Sequence, residues 1–152
     1  MPDELIFPTR EQLEEAADQC ACFNFRKATR AVTKHFDEAL APTGLRSTQL
    51  IIMVVIGANE TATLARLQRE LQLDASTLTR SLKPLQRDGL IKRNQASKGR
   101  RLTVSLTKAG QDALSAAIPH WRAAQDQLVD GLGAEAWASL QRQLARAVDA
   151  VQ

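Results

Sequence analysis

Hydrophobic side chains recur at helical spacing along the first quarter of the chain. Residues 9–40 contain no Gly or Pro, and two stripes run through them. One stripe consists of Cys22, Phe25, Thr29, Val32, Phe36 and Leu40, and the other, on a different face, of Leu13, Ala16, Cys20 and Phe23. The pattern predicts one long amphipathic helix whose N-terminal half buries two sides, as packing against a second subunit would require.

The next segment predicts a helix that is buried all round. Pro42 and Gly44 end the first helix, and Ser47 is the expected N-cap of the second. Seven consecutive apolar residues, 50–56, follow this cap. An all-apolar helix of this length belongs in the core of a domain.

Two short amphipathic helices come next, with the spacing of a helix-turn-helix. Thr61 or Thr63 is expected to cap the first, and Asp74 the second. Their apolar faces consist of Leu64, Leu67 and Leu71, and of Leu78, Leu82 and Leu85. Only about three residues separate the helices. Pro84 removes a backbone donor inside the second helix, which predicts a kink or an early loosening of its last turn.

A β-hairpin and two helices complete the predicted fold. Residues 90–93 and 102–106 are expected to form the strands, and the polar segment 94–101 the loop between them. Thr107 is the expected cap of a helix running towards Val129, and a final helix is expected over 134–151. The fold class is therefore mainly α with a small β-hairpin, a winged helix-turn-helix flanked by N- and C-terminal helices.

Charge is concentrated where the helix-turn-helix meets the hairpin. The chain has 20 basic and 17 acidic residues, a net charge of +3. Residues 80–108 hold nine basic residues and one acidic residue, whereas both flanking regions are mildly acidic. Such a segment attracts a polyanion such as nucleic acid, or an anionic membrane surface, although a solvated basic loop is the simpler alternative. Four Phe, two Trp and no Tyr make the chain poor in aromatic residues, which argues against a base-stacking platform.

The order of these motifs is the one needed to read duplex DNA, with the second helix in the major groove. Its leucine face must point to the core, which leaves the candidate DNA-binding residues Ser76, Thr77, Arg80, Ser81 and Lys83 on the other faces. The hydroxyls are expected to bond phosphates or base edges, and Arg80 to bond guanine. In the hairpin loop, Lys98, Arg100 and Arg101 surround Gly99 and are candidates for the backbone or minor groove. Each of these residues taken singly is more often a solvated surface group.

Other classes of protein are disfavoured by the same sequence. Two cysteines, Cys20 and Cys22, are too few for a secreted disulfide framework and predict a reducing compartment. The N-terminus lacks a signal-peptide pattern, so a cytoplasmic protein without membrane partners is expected. Motifs of catalysis and metal binding are missing as well. The expectation is a protein that is not an enzyme and holds no cofactor or metal.

Three segments carry a family resemblance, namely residues 44–50 (GLRSTQL), 73–91 (LDASTLTRSLKPLQRDGLI) and 99–110 (GRRLTVSLTKAG). They resemble the MarR family of bacterial winged-helix regulators, and the likeness extends over nearly the whole chain. The resemblance implies a homodimer on a pseudo-palindromic operator, usually a repressor that a ligand or an oxidant releases. It also implies three regions: a dimerisation helix in 1–45, the DNA-binding region in 46–108, and dimerisation helices in 109–152. A winged-helix protein-interaction module without DNA binding is the alternative.

The hairpin loop departs from the family pattern. The family commonly has Asp-x-x-Asp-Arg-Arg there, and this chain has Ala96-Ser97-Lys98-Gly99-Arg100-Arg101. An Asp in this run usually orients the wing Arg by a salt bridge. The identity of the Arg that enters the minor groove is therefore left open.

Two kinds of sensor are candidates. Residues 22–33 resemble the first helix of the OhrR branch, in which a Cys at the position of Cys22 reacts with organic hydroperoxides; this chain lacks that branch's tyrosines. Arg26 and Arg30, one and two helical turns on, could supply positive charge instead. The alternative is that Cys22 is a small buried apolar residue and Cys20 an interface residue. His35, Arg46 and Trp121 are candidates for a pocket that takes a small anionic aromatic ligand, because MarR relatives often bind such acids.

Overall fold

A computed structural model describes residues 7–94 and 102–151, which fall into two compact units. The first unit ends at His35 and the second begins at Phe36.

The first unit contains two helices where the sequence pattern predicted one. Helix α1 spans Arg10–Gln19 and helix α2 begins at Ala21, so the prediction of one unbroken helix is wrong. Cys20 has extended backbone angles (φ −67°, ψ 109°), and its sulfur accepts from Phe23 N at 3.4 Å. The Asn24 side chain donates to Asp18 O and Cys20 O at 2.9 and 3.1 Å. The bonds from Phe23 N and to Asp18 O satisfy backbone groups at the break. The break lies within the second apolar stripe, between Ala16 in α1 and Phe23 in α2.

The second unit starts with the last turns of α2, which spans Ala21–Leu40, and with a 3-10 turn at Ala41–Thr43. Helix α3 spans Ser47–Ala58, and its N-cap is Arg46, one residue before the expected Ser47. The reason is that Asp37 Oδ1 accepts from both Ser47 N and Ser47 Oγ, each at 2.7 Å. Burial raises the pKa of the Asp37 carboxyl, but the Ser47 hydrogen bonds and the Arg46 charge outweigh it and lower that pKa overall.

The core forms where α3 meets the predicted helix-turn-helix. Helix α4 spans Leu64–Leu71 and helix α5 spans Ala75–Arg87, capped by Thr63 and Asp74. Three residues separate the two helices, which confirms the predicted spacing. The buried apolar side chains include Leu50, Ile52, Met53, Ile56, Leu67, Leu78, Leu82 and Leu85. Helix α5 continues for three residues beyond Pro84, so the early loosening expected there does not occur.

A small antiparallel sheet lies beside these helices in the order β1-β3-β2. Strands β2 (Ile91–Asn94) and β3 (Thr103–Leu106) are the predicted hairpin. Strand β1 (Ala62–Thr63) was not predicted, and it pairs Ala62 with Val104, both fully buried. Helices α6 (Lys108–Leu132) and α7 (Ala134–Asp149) follow, and Thr107 caps α6 as expected.

The mainly helical fold class is thus confirmed. Within residues 7–94 and 102–151, no single helix is both long and apolar enough to cross a membrane.

Candidate nucleic-acid interface

Helix α5 turns one face to the core and the other to solvent. Leu78, Leu82 and Leu85 are at most 2% exposed. The opposite face carries exposed side chains at steps of four, three and four residues: Ser76, Arg80, Lys83 and Arg87. Arg87 was absent from the predicted set, although its spacing of four from Lys83 was the signal that could have found it.

Asp74 organises the N-terminus of α5 through a compact set of hydrogen bonds. Ser76 Oγ donates to Asp74 Oδ1 at 2.7 Å, Thr77 Oγ1 donates to Asp74 Oδ2 at 2.7 Å, and Thr77 N donates to Oδ1 at 2.8 Å. The Ser76 hydroxyl first, and then the two Thr77 bonds, hold the pKa of the Asp74 carboxyl well below its usual range. Both hydroxyl protons are therefore committed to Asp74. In this arrangement the oxygens of Ser76 and Thr77 are left to accept. Their predicted contact with phosphates or base edges stays a prediction.

The cations of α5 differ from its hydroxyls in their freedom to reach a ligand. Arg80 Nη2 donates to Thr77 Oγ1 at 3.2 Å and its side chain is exposed. Lys83 is exposed as well. Ser81 is half-buried, and its hydroxyl donates to Thr77 O at 2.9 Å within the helix. Arg80 and Lys83 are thus the stronger candidates for contact with DNA, and Ser81 is the weaker one.

The hairpin is the second part of the predicted interface. Lys98, Arg100 and Arg101 lie outside the described residues, so their predicted role stays a prediction. Asn94, at the end of β2, donates to Thr103 Oγ1 and Ser105 Oγ across the strands at 3.2 and 3.3 Å. This amide ties the two strands together where the basic loop begins.

Two separate cavities of the second unit divide the predicted ligand-binding residues. A groove of about 440 Å³ between the start of α3 and α5 includes Arg46 in its lining. Another cavity of about 390 Å³ is lined by apolar side chains, among them Ile51, Val54 and Trp121. Arg46 and Trp121 therefore line different cavities among the described residues, and the pocket predicted for an anionic aromatic ligand stays a prediction. His35 is half-buried and belongs to the first unit.

Both cysteines are free and exposed in the chain. The alternative in which Cys22 is buried is wrong for the single chain. Cys20 lies at the break between helices, and Cys22 lies in the first turn of α2. In the part of the chain that the structure describes, no group of three or more His, Cys, Asp or Glu side chains is placed to hold a metal ion.

Comparison with known proteins gives consistent matches. A sequence model described as the MarR family matches residues 43–102. The organic hydroperoxide resistance transcriptional regulator of Bacillus subtilis is 30% identical over 90 residues, which are 59% of this chain and 61% of that protein. This match therefore spans less than two thirds of the Bacillus regulator.

Solved structures match over a greater length. The M. tuberculosis transcriptional regulator MosR, in complex with DNA, is 32% identical with a TM-score of 0.80, covering 88% of this chain and 96% of that one. A probable transcriptional regulator from Pseudomonas aeruginosa is 30% identical with a TM-score of 0.76, covering 86% and 98%. The likeness thus includes the helices on both sides of the helix-turn-helix.

Proposed function

The chain belongs to the MarR family of transcriptional regulators, and from this premise we propose that two copies bind a pseudo-palindromic operator in duplex DNA and repress transcription. We also propose that it acts as a binding protein rather than an enzyme, in the cytoplasm, where its DNA is found. The observation that carries the proposal is helix α5, which buries its leucines and presents Arg80 and Lys83 to solvent. The MosR structure with DNA supports the same use of the fold.

The dimensions of α5 suit the major groove. Its 13 residues give a length of about 20 Å at about 1.5 Å per residue. The groove is about 12 Å wide and accepts one helix, of which the N-terminal residues contact base edges. Arg80 lies in the second turn and bonds guanine O6 and N7. Lys98, Arg100 and Arg101 bind the DNA backbone or the minor groove beside it.

Dimer formation is supported by apolar side chains that the single chain leaves exposed. In α7, Leu140, Leu144 and Val148 recur every four residues and are 37–41% exposed. In the first unit, Leu13 and Phe23 are 47% and 52% exposed. Apolar stripes of this kind mark surfaces that pack against another protein. A second copy of the chain is the occupant we propose.

The apolar cavity supports release by a small aromatic ligand. Its residues Phe36, Leu50 and Trp121 come from three helices, α2, α3 and α6, so an occupant contacts all three. Because its lining is almost wholly apolar, we expect the aromatic ring rather than an acid group to enter. Quenching of Trp121 fluorescence during titration with aromatic compounds, absent in Trp121→Phe, tests this.

Thiol oxidation is the second mode of release that we propose. Cys22 is exposed, and the Bacillus relative is named for organic hydroperoxide resistance. Peroxide is expected to release the wild-type protein from DNA and to leave Cys22→Ser bound. Equal release of both proteins would contradict a role for this thiol.

Fluorescence anisotropy tests DNA binding directly, with a duplex from immediately upstream of the gene for this chain and a random duplex of equal length. Arg80→Ala is expected to weaken specific binding by about 1–3 kcal/mol and to relax sequence preference, whereas Lys98→Ala weakens both duplexes alike. Equal losses on both duplexes for both variants would refute this division of roles. No preference by the wild type for the upstream duplex would favour a protein-interaction module.

A further inference from the structure

The groove between α3 and α5 joins two arginines that the sequence placed far apart. Its lining includes Arg46 and Thr48 from the start of α3, and Ser81, Pro84 and Arg87 from α5. Its volume, about 440 Å³, is ample for a phosphate group. The groove therefore opens on the same helix that carries the candidate base-reading residues.

Each arginine is held by one carboxylate and keeps donors to spare. Arg87 bonds Asp88 through Nε at 2.9 Å and Nη2 at 3.4 Å, and Arg46 pairs with Asp37 through Nη1 at 3.5 Å. A guanidinium has five N–H donors, and both side chains remain 77% exposed. The remaining donors are available to an anion.

The position of Arg87 along α5 indicates which anion this is. It lies 11 residues beyond Ser76, about 16 Å along the helix axis. The major groove is only about 12 Å wide. If the N-terminal turns of α5 read base edges and the helix axis is inclined across the groove, Arg87 lies near the edge of the groove, where the phosphates are.

We propose that this α3–α5 groove binds one phosphate of the DNA backbone, held jointly by Arg46 and Arg87. The inference rests on the proposed function and extends it by a contact outside the recognition residues and the hairpin loop. It moves Arg46 from the predicted ligand pocket to the DNA interface.

Substitution of Asp88 tests the proposal through an effect on DNA binding opposite to that of the arginine variants. Its carboxylate lines the same groove and repels a phosphate there. Asp88→Asn keeps the shape of the side chain and removes the charge. It is therefore expected to strengthen DNA binding, whereas the arginine variants weaken it.

The experiment measures how the dissociation constant depends on salt, by fluorescence anisotropy on the upstream duplex and on the random duplex of equal length. The proteins are the wild type, Arg46→Gln, Arg87→Gln, the double variant and Asp88→Asn. Arg146→Gln, in the last turn of α7, is the charge-matched control. Urea unfolding of each variant establishes that it is folded under the binding conditions.

One phosphate contact contributes about 0.9 to the slope of log K against log salt. The slope for each arginine variant is expected to be smaller by up to this amount. If the affinities are equal at 1 M salt, this makes the affinity of the variant about eightfold weaker at 0.1 M salt. The double variant is expected to lose about 0.9 and not about 1.8, because the two arginines share a single phosphate. Asp88→Asn tightens binding, and Arg146→Gln changes nothing.

Two kinds of result overturn the inference, and they are distinguishable. If the wild type binds DNA but the arginine variants keep its slope, or their losses add to about 1.8, the shared phosphate site is wrong and the proposed function stands. If folded wild-type protein binds neither duplex, the proposed function fails and the site fails with it.

Discussion

Replacing Gly110 with alanine tests how the hairpin is attached to the rest of the second unit. Gly110 lies in the first turn of α6, against the backbone of Leu90. A Cβ at this position would lie 1.9 Å from Leu90 O and 2.9 Å from Leu90 C. Carbon–oxygen contacts in proteins are about 3.3 Å or longer. The two segments would have to separate by roughly 1.4 Å, and backbone cannot move aside as a side chain can.

The cost of this separation follows from the bonds that join the segments. Thr107 N donates to Leu90 O at 3.0 Å, and Thr107 Oγ1 donates to Gly89 O at 2.6 Å. A displacement of 1.4 Å breaks or strongly weakens both. Two hydrogen bonds contribute about 1 kcal/mol each, and the strain of overpacking adds about 1–3 kcal/mol. Gly110→Ala is therefore expected to lower the free energy of unfolding by about 3–5 kcal/mol.

Urea unfolding followed by circular dichroism measures this loss, and Gly131→Ala in the same helix is the matched control. A Cβ at Gly131 meets nothing within 4 Å. Alanine is favoured over glycine inside a helix by about 0.8–1.0 kcal/mol, so this variant is expected to gain stability. The same substitution should thus lower stability at Gly110 and raise it at Gly131, in one helix. If the free energy of unfolding of Gly110→Ala were within 1 kcal/mol of the wild-type value, the close approach to Leu90 would not constrain the fold as argued.

Three further predictions concern α5, pH and the groove. Leu82→Ala removes a fully buried side chain and is expected to cost about 2.7–5 kcal/mol in the same unfolding assay; a loss below 1 kcal/mol would contradict its place in the core. Because folding lowers the pKa of Asp74, its stabilising effect is complete above the unfolded pKa, about 3.9, and is lost as the pH falls below it. Wild type and Asp74→Asn should therefore converge in urea midpoint towards pH 2 and differ at pH 7, and a constant difference would refute this. In the groove, Asp88→Asn should tighten binding to the random duplex, and weaker binding would count against a phosphate there.

Much of the second unit could be predicted because its elements are set by local patterns. The leucines of α4 and α5 recur at helical spacing, and Asp74 caps α5 through a bond to Thr77 N only three residues away. Elements that depend on distant partners were missed or misplaced. Strand β1 has only two residues and exists through pairing with β3, and the start of α3 is shifted by Asp37 from the preceding helix.

The break at Cys20 shows a further limit of pattern reading. No Gly or Pro marks the break. The Asn24 side chain donates to backbone carbonyls there, but an Asn at this position is also compatible with an unbroken helix. The two apolar stripes do not mark the break either, because Phe23 continues one of them beyond it in α2. They were interpreted as one helix with two buried sides, an interpretation that requires a partner subunit but no break.

The candidate site was predictable for its cations and not for its hydroxyls. Exposure of Arg80 and Lys83 follows from the helical period once the leucines are placed in the core. The direction in which the hydroxyls of Ser76 and Thr77 donate depends on the position of both Asp74 oxygens, which only the folded turn defines. The separation of Arg46 from Trp121 is likewise a consequence of tertiary packing.

The Asp74 network also has a consequence for what α5 can recognise. Since Ser76 and Thr77 donate to Asp74, their oxygens are left to accept, and Thr77 Oγ1 already accepts from Arg80. Acceptors in the major groove select the amino groups of adenine or cytosine, whereas the Arg80 donors select guanine. Binding of Arg80 to guanine would release Thr77 Oγ1 to accept from a neighbouring base. The preference at that neighbouring base should thus depend on Arg80 as well as on Thr77, so Thr77→Val and Arg80→Ala should be non-additive in their effects on it.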